Sequence, residues 1–238
     1  MPVPVILAHR GLHRTERENT LGAFRAARSV GADGVELDVR RCADGQIVVH
    51  HDATIDGKAL AVTPMGELPG YVASLADALD ACAALVVNVE IKKGKHSSAP
   101  ADHARDIARR VVDVVIGAGR AADVIISCFD LATCRAVRSL DTGVRVGWLV
   151  HRGRDVVASV GVARDAGLHA VHPHYRAVNA KTVAAAHDAD LAVNVWTVNR
   201  PRQLVAMIEL GVDGLITDDP ASALALVGRP PEGHSTLA

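Results

Sequence analysis

Eight short apolar runs, each followed by a helix-compatible stretch, recur along 238 residues with no composition shift that would mark a linker. Together they predict an α/β fold, a (β/α)8 TIM barrel with a short insertion after the second strand. Strand–helix alternation implies a parallel sheet with helical crossovers, and eight such units suit a barrel of about 250 residues. The rival doubly wound sheet would carry a GxGxxG turn after its first strand, and none is present. A single barrel domain over 1–228 is expected, with 229–238 as a flexible tail opened by Arg229, Pro230 and Pro231.

The first strand, 3–8, ends just before His9, and its helix, 19–30, has Thr20 as an N-cap candidate and stops at Gly31. The second strand, 34–40, alternates Val35, Leu37 and Val39 with Glu36 and Asp38. Extra material follows, with a short strand at 47–51 and a polar loop, until Ser74 caps the helix 74–83. Strand 85–91 precedes helix 100–118, and strand 124–128 precedes helix 130–140 with Asp130 at its cap. Strands 144–150 and 169–172 alternate with helices 155–166, which stops at Gly167, and 179–189. Strand 191–198 leads into helix 200–210, closed by Gly211, and strand 213–217 leads into helix 219–227.

Composition narrows the function classes. Hydrophobic residues make up 49% and charged residues 22%, so a substantial core is available and wholesale disorder is excluded. A formal charge of -1 removes the electrostatic case for a nucleic-acid partner or an anionic membrane surface. No 18-residue apolar run occurs, and the start of the chain lacks a basic n-region and an apolar h-region; a cytoplasmic protein without stable membrane association is expected. Cys42, Cys82, Cys128 and Cys134 form no CxxC pair and read as reduced core thiols. No feature sets an oligomeric state. With 12 histidines in the chain, a lone His carries little information.

Chemistry enters where polar residues break the strand pattern. Glu36 and Asp38 share one face of the second strand, and Asn88, Glu90 and Lys92 share one face of the third. Parallel strands are normally buried on both faces, so carboxylates there point toward the barrel mouth, where sites gather. Three carboxylates aimed at one place repel unless a cation lies between them, and oxygen-only ligands favour magnesium or calcium over zinc. Lys92 has two roles open to it, pairing with a carboxylate or reaching a substrate phosphate. His9 and Arg10 end the first strand, where a guanidinium fork suits phosphate and an imidazole moves protons near neutrality. His50 and His51 precede Asp52, and spacing alone does not choose between them.

In order along the chain, these residues spell a family. His9, Arg10 and Gly11, then Glu18, Asn19 and Thr20, Glu36 to Asp38, His51 and Asp52, and Glu90 to Lys92 resemble the glycerophosphodiester phosphodiesterases. Ser127 to Asp130, Trp196 to Asn199 and Gly211 to Asp218 are similar to that family's later signatures. The resemblance implies a metal-dependent barrel that cleaves glycerophosphodiesters, its small-molecule substrates, to glycerol 3-phosphate and an alcohol. It implies Glu36, Asp38 and Glu90 as metal ligands, His9 and His51 as the acid–base pair, and Arg10 and Lys92 on the phosphate. It further implies Glu18 and Asn19 as supports for the ligands and Trp196 as a pocket wall; strand parity puts Trp196 on one face with Ala192 and Asn194. Two departures stand out: Arg17 replaces the family's usual proline, and the stretch after Asp52 is short where the family carries an arginine- and threonine-rich segment and a sizeable cover.

One histidine would take a proton from the nucleophile and the other would give one to the leaving alkoxide, each typically worth about 10²–10⁴-fold. His9 is expected as the base and His51 as the acid, because Asp52 should raise the His51 pKa. Water and the substrate's own glycerol hydroxyl are both nucleophiles compatible with this arrangement. A magnesium–enolate barrel is disfavoured, since the strand-end lysine, Lys92, sits among the carboxylates. A binding barrel without catalysis has no use for an acid and a base. A lysophospholipase D or sphingomyelinase D-like activity is kept open by the short cover. His172 and His174 read as structural, and His96, His103, His151, His187 and His234 as surface.

Overall fold

The computed structural model describes residues 3–92 and 101–230. Eight parallel strands close into a barrel: β1 (Val5–His9), β2 (Gly34–Arg41), β6 (Val86–Ile91), β7 (Val124–Cys128), β8 (Arg145–Val150), β9 (Ala170–Pro173), β10 (Ala192–Val195) and β11 (Gly214–Thr217). Closure comes from β1, which pairs with β11 (Leu7 with Ile216) and with β2 (His9 with Glu36). Three short strands lie outside the ring, β3 (Ile47–Val49), β4 (Thr54–Ile55) and β5 (Lys58–Ala59). The predicted strand 191–198 is shorter than expected, because after β10 the chain leaves the ladder and touches it again at the bridge of His174 with Trp196 and where the Val198 amide donates to the Ile216 carbonyl at 2.9 Å.

The outer layer is α1 (Leu21–Ser29), α2 (Leu75–Ala81), α3 (Ala101–Gly117), α4 (Leu131–Arg138), α5 (Val156–Asp165), α6 (Ala180–His187), α7 (Pro201–Glu209) and α8 (Pro220–Leu226). The caps read from sequence form: the side chains of Thr20, Ser74 and Asp130 accept from the amides of Ala23, Asp77 and Thr133. Each such cap contributes about 1 kcal/mol. Val35, Leu37 and Val39 of β2 and Val87 and Val89 of β6 are fully buried in the core shared with the helices.

Inside the barrel, a polar layer lies among the apolar side chains. Asn88 donates to Ser127 Oγ at 3.1 Å, and Asn194 meets His172 Nε2 at 3.0 Å. A Cβ on Gly147 would run into the His172 ring, so the glycine makes room for a buried imidazole. Burial without a charge partner pushes the His172 pKa down to about 3, which keeps the ring neutral.

The insertion after β2 is not simply the polar loop expected. β2 runs past the ring and turns back as an antiparallel hairpin with β3, Val39 facing Val49 and Arg41 facing Ile47. The hairpin and the residues beyond it fold into a small lobe with its own apolar cluster of Cys42, Val48, Ile55, Leu60 and Val72. All four cysteines are buried free thiols. At the far end, Arg229 holds Asp33 with both guanidinium nitrogens at 2.6 and 3.0 Å, so the chain is still tied down where a tail was expected to start. Residues 231–238 of that expected tail lie outside the described residues. No described helix is long and apolar enough to cross a membrane.

Candidate active site

Neighbouring parallel strands put the carboxylates together. The register sets Glu36 opposite Asn88 and Asp38 opposite Glu90, so the alternate residues of β2 and β6 project into one mouth. Oxygens of Glu36, Asp38 and Glu90 come within 4.8 Å of one another, and all three residues are buried. Burial, together with Asp38 and Glu90, raises the Glu36 pKa well above the carboxylate range. Burial also pushes Glu90 up to about 7 despite its ion pair with Lys92. Asp38 goes the other way: burial would raise it, but Lys92, Arg10 and a hydrogen bond from Asn19 hold it down.

Lys92 Nζ lies 2.7 Å from Glu90 and 3.2 Å from Asp38, so the pairing role left open by the sequence is made. Arg10 takes a left-handed φ of 56°, and its amide donates to Glu36 Oε2 at 3.1 Å. Its side chain reaches Asp38 at 3.3 Å and Glu18 at 2.9 Å. Gly11 follows at φ 80°, packed against the Ala23 backbone where a Cβ would collide. Glu18 thus touches Arg10. Asn19, also at positive φ, donates to Asp38 Oδ2 at 2.8 Å and accepts from the Asp38 amide at 3.2 Å.

His9 ends β1 with Nε2 3.8 Å from Glu36, and its Nδ1 donates to Asp218 Oδ1 at 2.6 Å. Asn199 clamps the same carboxylate, donating to Oδ2 at 2.5 Å and accepting from the Asp218 amide at 2.9 Å. Burial opposes ionisation of Asp218, but hydrogen bonds from His9 and His13 hold its pKa far below the usual range. Sequence reasoning noted Asp218 and Asn199 only within signatures and passed over His13. The available signal was barrel closure, since the register of Ala8 with Thr217 brings the ends of β1 and β11 together.

His51 comes from the lobe side. The amide of His50 donates to the Asp38 carbonyl at 2.9 Å, and Arg40 donates twice to the His51 carbonyl, at 2.9 and 2.6 Å. His51 Nδ1 donates to Asp52 at 2.9 Å. The expected rise in the His51 pKa does not occur: burial, with Lys92 and Arg10, outweighs Asp38 and Asp52 and lowers it. Asp52 is 74% exposed, where water screens its charge.

His9, Arg10, Glu36, His51, Glu90, Lys92 and Trp196 all line one cavity of about 210 Å³. Its opposite wall is apolar, with Phe129 and Trp196 edge to face at 5.5 Å and the Trp196 Nε1 held by the His172 carbonyl at 2.7 Å. His151, read as surface, is exposed but stacks on Phe129 at 4.5 Å, and His174 packs against Trp196 at 5.2 Å. His187 pairs with Asp213 on the surface. His96, His234 and the side chain of His103 lie outside the described residues. A larger open groove, about 1080 Å³, runs between the lobe and α1 past Arg17 and Tyr71; it holds no cluster of titratable groups like that at the mouth.

The sequence profile of the Glycerophosphoryl diester phosphodiesterase family matches residues 9–222. A glycerophosphodiester phosphodiesterase of Caldanaerobacter subterraneus subsp. tengcongensis is 29% identical over 253 residues, spanning 94% of this chain and 98% of that protein. Among solved structures, a glycerophosphodiester phosphodiesterase from Parabacteroides distasonis superposes with a TM-score of 0.85 at 24% identity, covering 95% of this chain and 97% of that one. An Oleispira antarctica phosphodiesterase, solved with the product sn-glycerol-3-phosphate, superposes with a TM-score of 0.84 at 20% identity over 95% and 97% of the two chains.

Proposed function

The chain belongs to the Glycerophosphoryl diester phosphodiesterase family and is a phosphoric diester hydrolase, and from that premise we propose that it splits glycerophosphodiesters into glycerol 3-phosphate and an alcohol. The observation that carries this reading is the convergence of Glu36, Glu90, His9 and His51 around one cavity, with buried Asp38 clustered beside the two glutamates. The product bound in the Oleispira structure is the product this reading assigns.

Three buried carboxylates facing one another, two with raised pKa values, are a donor set short of positive charge even with Lys92 and Arg10 beside them. That deficit fits a hard divalent cation, magnesium or calcium, held by Glu36, Asp38 and Glu90. Such an ion would neutralise charge on the phosphoryl oxygens. Arg10 and Lys92 add fixed positive charge on the same side, where low dielectric strengthens it. Glu18 and Asn19 hold Arg10 and Asp38 in place, and Trp196 walls the glycerol side.

The Asp218 carboxylate fixes the His9 proton on Nδ1, so Nε2 keeps its lone pair and faces the cavity as the base. His51, held through its carbonyl by Arg40, protonates the departing alkoxide. The test is turnover of glycerophosphocholine, glycerophosphoethanolamine, glycerophosphoglycerol and lysophospholipids, with magnesium, calcium or excess EDTA. Release of glycerol 3-phosphate that EDTA abolishes is expected. Full turnover in EDTA would sink the metal, and cleavage of lysophospholipids alone would favour the lipid-active alternative.

A further inference from the structure

We propose that His9, His13 and Asp218 form a second metal site, one for a zinc-class ion rather than a hard cation, whose occupation disables His9. His13 has no part in the reaction above, yet its Nε2 lies 3.0 Å from Asp218 Oδ1, the oxygen that His9 Nδ1 approaches at 2.6 Å. Two imidazoles converge on a single carboxylate oxygen, and the three ligand atoms lie within 4.8 Å of one another. The rings meet edge to face, 6.0 Å apart and 78° to each other, and one nitrogen of each points at Asp218.

The surroundings pre-orient the set. Asn199 grips the other oxygen of Asp218 and stops the carboxylate from turning, the kind of outer partner that ligands of metal ions have. An ion pair of Arg14 with Asp219 at 2.6 Å ties the loop carrying His13 to the loop carrying Asp218. All three side chains are between 21% and 24% exposed, open enough for an ion to enter.

Donor type decides which ion. Two imidazole nitrogens and one carboxylate match zinc, which takes three protein ligands and leaves a position open to water. Magnesium and calcium prefer oxygen, and nitrogen-rich sites rank transition ions above them. The neighbouring Glu36, Asp38 and Glu90 offer oxygen alone, so the mouth presents a hard and a softer site side by side. Zinc would take the lone pairs of His9 Nδ1 and His13 Nε2, and each neutral ring would move its one proton to its other nitrogen, with none released. With its Nδ1 lone pair given to the metal, neutral His9 carries that proton on Nε2, and it has no lone pair left to accept another. That consequence, inhibition, rests on His9 being the base; the binding does not.

Equilibrium dialysis of the full chain against zinc in excess magnesium, beside turnover in the same buffer, separates the two. Wild type should take up one zinc per chain and lose magnesium-supported turnover. Glu36→Gln should keep that zinc. His13→Ala and His13→Gln should weaken it by at least the roughly 10–100-fold that loss of even an outer partner costs, and their residual turnover should resist zinc to the same degree. The proposal is overturned if wild type takes up no zinc in excess magnesium, if both His13 variants bind it as wild type does, or if Glu36→Gln loses it. Absence of magnesium-supported turnover without zinc would overturn the reaction instead, while the dialysis still reports on the site.

Discussion

The two halves of the active-site mouth are built by different means. His9, Glu36, Asp38 and Glu90 stand on or at the ends of barrel strands whose neighbours are fixed by ladder register. His51 stands on a bend past a hairpin, positioned by the backbone of Asp38, by Arg40 and by a lobe with only a small apolar cluster. A strand-borne group inherits its placement from the main core, whereas the loop-borne histidine depends on local contacts. The strand half therefore suits charge stabilisation, which needs fixed geometry, and the lobe half suits a proton donor that meets the leaving alcohol.

The largest effects should come from the strand half. Glu36→Gln, Asp38→Asn and Glu90→Gln should each lower kcat by about 10³-fold or more on every diester, since each removes charge from the cation and from the transition state it serves. Fluorescence thermal melts should show these variants folded. If any one keeps a tenth of wild-type turnover, that residue is not a ligand.

Comparing the histidines sharpens the contrast. His51→Ala should lose about 10²–10⁴-fold on glycerophosphocholine, whose alkyl alcohol leaves poorly without a proton, and far less on an aryl diester whose phenolate departs unaided. His9→Ala should lose on both, because the nucleophile must still give up its proton. Equal losses for His51→Ala on the two esters would remove its acid role, and selective rescue of His9→Ala by the aryl ester would reverse the pair.

This division also explains what was legible beforehand. Alternation in β2 and β6 pointed to Glu36, Asp38 and Glu90 because strand parity is a local property of the chain. Helix caps at Thr20, Ser74 and Asp130 were local too. The partner of His9 was not legible from pattern, since Asp218 lies 209 residues away and meets it only through closure of the ring. The lobe was mistaken for a polar loop because its buried residues, among them Ile55, Leu60 and Val72, follow no strand or helix period. Arg17, which stands where the family usually has proline, stacks over Tyr71 at 4.0 Å and links the first loop to the lobe.

A substitution confined to the lobe probes its half alone. Leu60 is 1% exposed within that cluster, and Leu60→Ala should cost about 2–4 kcal/mol of local packing. Turnover of the alkyl ester should fall several-fold more than turnover of the aryl ester, because only the step using His51 feels the loosened lobe. Hydrogen exchange should quicken over 42–73 and stay unchanged in β6 through β9. An equal loss on both esters would mean that the lobe and the strand site are one unit.

The smallest effect belongs to Asp52. In the acid role proposed for it, His51 acts only when protonated, and burial with Lys92 and Arg10 places its pKa below the ordinary value of about 6.5. For an alkyl ester, kcat/KM should therefore fall as pH rises through that lowered pKa, and for the aryl ester this limb should be weak. Asp52 acts against the lowering through its hydrogen bond to Nδ1. Asp52→Asn removes the carboxylate charge, so the His51 pKa should drop further and the alkyl limb should move to lower pH. Because Asp52 is 74% exposed, the move should stay under about one pH unit. Full pH profiles of both esters measure it. A move toward higher pH, or the same move for both esters, would mean that the limb belongs to a group other than His51.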